Sequence, residues 1–98
     1  MSIPLLNIKV SPMLSPRTGA PVANQYIIET DEATYFQSYN TIIACRIVGS
    51  DEVKTYLDKQ DWDYSRTTSK YRNEFLRENT AETRRKIASG EYLLADLN

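Results

Sequence analysis

Thr34-Tyr35-Phe36-Gln37-Ser38-Tyr39-Asn40-Thr41-Ile42-Ile43-Ala44-Cys45-Arg46-Ile47-Val48 is the stretch that decides the fold. From Thr34 to Tyr39 the residues alternate, with Tyr35, Gln37 and Tyr39 on one face and Phe36 and Ser38 on the other, as in a strand. Asn40 marks a turn. Thr41 to Val48 is the most apolar run of the chain, broken only by Arg46, and the pattern predicts the central strand there. Upstream, Asn24 to Thr30 reads as another strand, with Tyr26 and Ile28 sharing one face and Gln25, Ile27 and Glu29 the other. Asp31-Glu32 is the turn between them. Downstream, Gly49-Ser50-Asp51-Glu52 is a third turn and Val53 to Leu57 a fourth short strand. Short strands separated by regular turn signals predict an antiparallel meander over residues 22–60.

All four prolines fall within the first 21 residues. Leu5 to Val10 reads as one short strand, and Ser11 to Pro21 as a loop, because proline removes backbone donors and Gly19 permits positive φ. Residues 1–21 are then a proline-rich strand and loop, or an arm that packs elsewhere.

Beyond residue 60 the period changes. Ser65, Thr67 and Thr68 offer helix N-caps. From there to about Asn79, Thr68, Tyr71 and Phe75 cluster on one side of a helix with Leu76 at its edge. Arg66, Lys70, Asn73 and Arg77 fall on the opposite side. Asn79-Thr80-Ala81-Glu82 resembles a capping box and opens a second helix to Ser89, with Gly90 at its C-terminal stop. Tyr92, Leu93, Leu94 and Leu97 dock the tail. The expected fold is α+β: one domain over 1–98, a small antiparallel sheet of three to five strands, then two α-helices packed on it within 65–98.

The 98 residues suit one domain. With 41% hydrophobic and 26% charged residues the balance is that of an ordinary globular protein. Net charge is −1, so no global field draws in nucleic acid or a membrane. The one cysteine, Cys45, cannot form an internal disulfide. With no signal-like opening and no apolar stretch of membrane-spanning length, the expected location is the cytoplasm. Seven tyrosines and one tryptophan are many for this length. Their rings serve either a thin β-rich core or a contact surface.

The chain contains no histidine, which removes the commonest general base and the commonest metal ligand together. Three glycines cannot supply a phosphate-cradling loop. No catalytic, cofactor or metal site is expected. Asp61 and Asp63, if extended, face the same way and suit Mg²⁺ or acid–base work, but acidic residues before a helix also serve as caps. Trp62 and Tyr64 between them read either as a plug where the sheet meets the first helix or as an interface hot spot. Residues 66 to 86 hold seven Lys and Arg against three Glu. A stripe of Arg66, Lys70 and Arg77 with Asn73 between, extended by Arg84, Arg85 and Lys86, suits phosphates. The interleaved Glu74, Glu78 and Glu82 suit instead a solvated or protein-binding face. Tyr35, Tyr39, Trp62 and Tyr64 join the basic residues as candidate partner contacts.

Pro21-Val22-Ala23-Asn24-Gln25-Tyr26-Ile27-Ile28, Tyr35-Phe36-Gln37-Ser38-Tyr39-Asn40-Thr41-Ile42-Ile43-Ala44 and Trp62-Asp63-Tyr64-Ser65 form the first part of a wider likeness. It continues through Thr67-Thr68-Ser69-Lys70-Tyr71-Arg72-Asn73-Glu74-Phe75-Leu76 and closes with Ser89-Gly90-Glu91-Tyr92 and Asp96-Leu97-Asn98. Together these resemble a family of small uncharacterised phage, prophage and plasmid proteins of Gram-positive bacteria, over roughly residues 20–98. The resemblance implies a protein made in the host cytoplasm that inhibits or redirects a host protein, including defence systems such as CRISPR effectors. The other role it implies is binding DNA. Self-association through open sheet edges is a further expectation.

Overall fold

The computed structural model describes residues 7–49 and 52–98. Five strands run in chain order: β1 (Lys9–Leu14), β2 (Pro21–Glu29), β3 (Ala33–Ser38), β4 (Thr41–Val48) and β5 (Val53–Asp58). Two helices follow, α1 (Arg66–Leu76) and α2 (Thr80–Ser89), and the chain closes with β6 (Tyr92–Ala95). The strands form one sheet in the order β1-β2-β3-β4-β5-β6. The first four pairings are antiparallel, and β6 runs parallel to β5. A parallel neighbour requires a crossover, and residues 59–91, carrying both helices, provide it.

The fold is α+β, with two corrections to the expected sheet. It has six strands, and the docking tail is itself a strand. The proline-rich stretch from Ser11 is not all loop either, since β1 continues to Leu14. Pro12 sits opposite Tyr26 on an edge strand, where a lost donor breaks no inner ladder, and the register shifts between Pro12 and Leu14. Leu5 and Leu6 of the expected first strand, and Ser50-Asp51 of the third turn, lie outside the described residues. Helix α1 ends at Leu76, short of Asn79, because Arg77 takes the left-handed cap conformation at φ 59°.

The helices cover one face of the sheet. Phe36, Ile43, Ala44 and Leu57 are fully buried there against Tyr71, Phe75 and Leu76 of α1, with Met13 beside them. The Phe36 and Phe75 rings stack at 5.9 Å. Between β3 and β4, Phe36 pairs with Ala44 but Gln37 with Ile42, so Ile43 is an inserted residue. This bulge lets Ile43 and Ala44, neighbours in sequence, both enter the core. Arg46, on the same face, donates from Nη2 to the Phe75 carbonyl (2.9 Å) and lies over the Phe75 ring.

Strand alternation turns the other residues to a face that no helix covers. Registered pairs place Val10, Ile28, Tyr35, Cys45, Tyr56 and Leu93 in one row across all six strands.

Gln25 is fully buried, and neither its side-chain carbonyl nor its amide nitrogen has a partner among the described residues. Its cross-strand neighbour Ser38 bonds Thr68 instead (3.1 Å). An orphaned buried polar group costs about 1–3 kcal/mol. Gln25→Met is therefore expected to raise the melting temperature, by about 4–8 °C for each kcal/mol recovered. An unchanged or lowered melting temperature in a calorimetric scan would show that the amide is satisfied in solution.

Candidate partner-binding site

Loop 59–65 leads from β5 into α1, and a single buried carboxylate shapes its start. Asp58 Oδ2 accepts the backbone N–H groups of Gln60 (3.2 Å) and Asp61 (2.9 Å). Its Oδ1 accepts from the Leu97 N–H (3.0 Å) and Asn98 Nδ2 (3.3 Å). Asn98 also brackets the backbone of Ile42, accepting its N–H at 2.8 Å and donating to its carbonyl at 3.0 Å. Turn, tail and β4 thus meet at Asp58.

The loop and the β3–β4 turn enclose a cleft of about 520 Å³. Ser38, Tyr39, Asn40 and Thr41 line one side, and Asp61, Tyr64, Ser65, Thr67 and Thr68 the other. Buried Ile43 also lines it. Tyr39 and Tyr64 are 54% and 71% exposed, although bulky rings usually find cover. Tyr39 adopts φ 56°, a conformation costly for a bulky residue. Two hydrogen bonds hold it there: its N–H donates to the Asn24 carbonyl and its carbonyl accepts from Gln37 Nε2, both at 2.7 Å. Ser65, not either aspartate, caps α1, its Oγ accepting the Thr68 N–H at 3.1 Å. Among the described residues the Asp61 carboxylate has no ion-pair partner.

Asp63 does different work, so the two aspartates are not a pair. Its Oδ1 accepts from Ser69 Oγ (2.8 Å) and Arg72 Nη1 (3.3 Å), and its Oδ2 from Arg84 Nη2 (2.8 Å). Arg72 is fully buried. It also donates to the Trp62 carbonyl, to Asn73 Oδ1 (3.1 Å) and to Thr80 Oγ1 (2.8 Å), and stacks 5.0 Å from the Trp62 ring. Burial pushes the Asp63 carboxyl up, but the bonds from Ser69, Arg72 and Arg84 outweigh it, and its pKa lies below the usual value. Burial also lowers the Arg72 pKa, against the pull of Asp63. A third hub is Glu78, which accepts from Thr83 Oγ1 (2.7 Å), Lys86 Nζ (2.9 Å) and the Tyr92 hydroxyl (2.6 Å).

These hubs dissolve most of the basic stripe. Arg84 is held by Asp63, Arg85 by Glu82 and Glu91, and Lys86 by Glu78. Asn73 is half-buried and bonded to Arg72 and Thr80, so it leaves the outer face. Glu82 completes only half of a capping box: its N–H donates to Asn79 Oδ1 (2.8 Å), while its carboxylate turns to Arg85. Arg66, Lys70 and Arg77 are exposed and carry no ion pair among the described residues. Trp62 packs against the core, as a plug would; Tyr64 does not. Tyr35 belongs to the uncovered sheet face, where it pairs with Cys45. Of the candidate contacts, then, only Tyr39 and Tyr64 converge on one cleft.

Over residues 8–90 the chain matches the model of a family of unknown function, DUF8033. It belongs to that family. The matched range takes in the meander, both helices and the whole cleft, and stops short of β6 and Asn98. No curated protein and no solved structure matches the chain. Among the described residues no helix is long and apolar enough to cross a membrane, and no three His, Cys, Asp or Glu side chains group as a metal site.

Arg72 escaped the sequence reading, although Thr68, Tyr71, Arg72 and Phe75 follow the i, i+3, i+4, i+7 spacing of one buried stripe. Its charge disguised it as a surface residue.

Asp63→Ala leaves that buried guanidinium without its carboxylate, and a loss of about 3 kcal/mol is expected in urea unfolding. Adding Arg72→Met should restore part of the loss. No restoration would mean the pair is not the source of the effect. A pH dependence also follows. Burial raises the Asp58 and Glu78 carboxyls too, but hydrogen bonds led by Leu97 N–H at Asp58 and the Tyr92 hydroxyl at Glu78 bring both pKa values below normal. With folded values depressed at Asp58, Asp63 and Glu78, their stabilisation is complete above the ordinary carboxylate range, near pH 4. It is lost as pH falls through the folded values beneath that. Melting temperatures should drop below pH 4, less steeply in Asp58→Asn; parallel curves for the two proteins would contradict this account.

Proposed function

We propose that the chain is a small non-enzymatic binding protein of phage type that holds a protein of its Gram-positive host and thereby inhibits or modulates it, an anti-defence (anti-CRISPR-like) inhibitor being one form of that role. The observation that carries the reading is the cleft between Tyr39 and Tyr64. Exposed tyrosines beside a concave surface are what interface hot spots are built from, since a rigid ring buries much area with few rotatable bonds. Ser38, Thr41, Ser65 and Thr67 ring the same opening with hydroxyls that both donate and accept. The ring faces and the Asp61 carboxylate all attract a cation, so a segment presenting a lysine or arginine fits this lining. The sequence resemblance supplies the host context, and the absence of histidine from the whole chain supports a role without catalysis.

Nucleic-acid binding through the helical stripe is the rival reading. Among the described residues the stripe retains Arg66, Lys70 and Arg77 as cations without an ion pair, too few for a strong phosphate track.

A tagged full-length chain incubated with host lysate separates the two. Capture of one host protein that survives nuclease and weakens at least tenfold in Tyr39→Ala/Tyr64→Ala supports the proposal. Recovery of nucleic acid alone, released by moderate salt and abolished by Lys70→Glu/Arg77→Glu, would replace it with the rival.

A further inference from the structure

We infer that Asn98 is a positioning residue for the cleft, an inference that rests on the cleft being the binding site. Its side-chain amide sets the spacing of the two walls that carry Tyr39 and Tyr64. The pairing of β4 with β5 runs from Val48 opposite Val53 to Ala44 opposite Leu57 and stops there. Ile42, two residues further back along β4, has no registered partner on β5. Asn98 takes that place. Its Oδ1 accepts the Ile42 N–H at 2.8 Å, and its Nδ2 donates to the Ile42 carbonyl at 3.0 Å. One side-chain amide thus supplies the acceptor and the donor that a neighbouring strand would offer.

The same amide reaches the opposite wall. Its Nδ2 also donates to Asp58 Oδ1 at 3.3 Å, which uses the second amide hydrogen. Asp58 is 2% exposed, and its Oδ2 holds the Asp61 N–H at 2.9 Å. Ile42 lies between Thr41 and Ile43 of one wall, and Asp61 belongs to the other. The route from Ile42 through Asn98 and Asp58 to Asp61 therefore ties wall to wall. Among the described residues the only other hydrogen bond between the walls joins Ser38 Oγ to Thr68 Oγ1, 3.1 Å apart at the buried inner end. One tie alone acts as a pivot; the second fixes the angle.

Docking of the tail does not call for these bonds. Strand β6 is already held by its ladder with β5 and by the Tyr92 hydroxyl on Glu78. The bonds to Ile42 act instead on the β4 end of the hairpin, beside the cleft. Asn98 does not line the cleft, so replacing it removes no lining group. What it changes is preorganisation. A partner that meets walls already in place spares the cost of ordering them on binding.

Backbone residual dipolar couplings of the full chain test this without any partner. In the wild type, residues 38–43 and 60–65 should fit one alignment tensor together with the core strands. In Asn98→Ala the couplings of residues 39–42 should shrink and leave that fit, while circular dichroism keeps the native spectrum. Capture of the host protein should weaken about fivefold, the cost of ordering one or two side chains on binding. Met13→Ala, a core substitution on β1 outside the cleft, should lower stability and leave capture unchanged, which separates lost position from lost stability. Couplings unchanged in Asn98→Ala, or capture that survives altered couplings, would overturn the inference. If the wild type captures no host protein, the proposed function fails, and the couplings still decide whether Asn98 sets the walls.

Discussion

The buried guanidinium of Arg72 is the constraint on which the helical half depends. A charge removed from water is tolerated only where opposite charge and hydrogen bonds replace its hydration. Here the replacements come from three separate parts of the chain. Asp63 and the Trp62 carbonyl belong to the loop after β5, Asn73 to α1 itself, and Thr80 to the first turn of α2. Arg72 Nε has no partner among the described residues, so the two Nη groups carry all of its hydrogen bonds, and moving any one of these partners strips the guanidinium further. The loop, α1 and the start of α2 are therefore fixed relative to one another by the geometry of one side chain. Trp62, stacked on that side chain and touching the core, joins the polar knot to the apolar one.

A chain of this length needs such knots. Its helix-covered face buries few large side chains completely, chiefly Phe36, Ile43 and Leu57, and among the described residues no helix packs on the other face of the sheet. Hydrophobic burial scales with apolar area removed from water, so a two-layer domain gains less than one with both sheet faces covered. Asp58, Asp63 and Glu78 compensate locally. Asp58 ties the tail to loop 59–65, and through Asn98 to β4; Glu78 ties the end of α1 to α2 and β6. Each carboxylate lies where elements distant in sequence converge. Strand β6 follows from this: its parallel place beside β5 is held by ladder bonds on one side and by the Tyr92 hydroxyl on Glu78 above the sheet.

Much of this was legible in the residues, and the limits are physical. The alternation from Asn24 to Val48 predicts β2, β3 and β4, because period two is a local property and turns at Asp31-Glu32 and Asn40 punctuate it. The inward side of α1 was legible for the same reason, as were Ser65 and Asn79 among the caps and Gly90 as the stop. What was not legible depends on partners far away in sequence. Pro12 reads as a loop residue until β2 is placed beside it and the edge position makes its missing donor harmless. Tyr92-Leu93-Leu94 has no strand signature of its own and becomes a strand only because β5 offers an open edge. Arg66, Lys70, Arg77, Arg84 and Arg85 look alike as charges in a string. Only the fold shows that carboxylates hold the last two and not the first three.

The same distinction bears on the candidate site. Tyr35 and Tyr39 share a face under strict alternation, and that expectation fails at Tyr39 because the strand has ended. Its left-handed backbone swings the ring to the rim, where it borders both the cleft beside Tyr64 and a shallow groove with Val10, Tyr26 and Ile28 on the open face. Asn24, across the β2–β3 ladder, also has positive φ, and its carbonyl receives the Tyr39 N–H. Two strained residues bonded to each other hold the strain in place, since neither relaxes without breaking that bond. Ser38 pairs with Thr41, so Tyr39 and Asn40 form a two-residue hairpin, and a positive φ at its first residue is what such a turn demands. The turn thereby sets the position of one exposed aromatic ring. That ring stands at the rim of the cleft beside Tyr64, so whatever occupies the cleft meets a side chain whose place the hairpin turn sets.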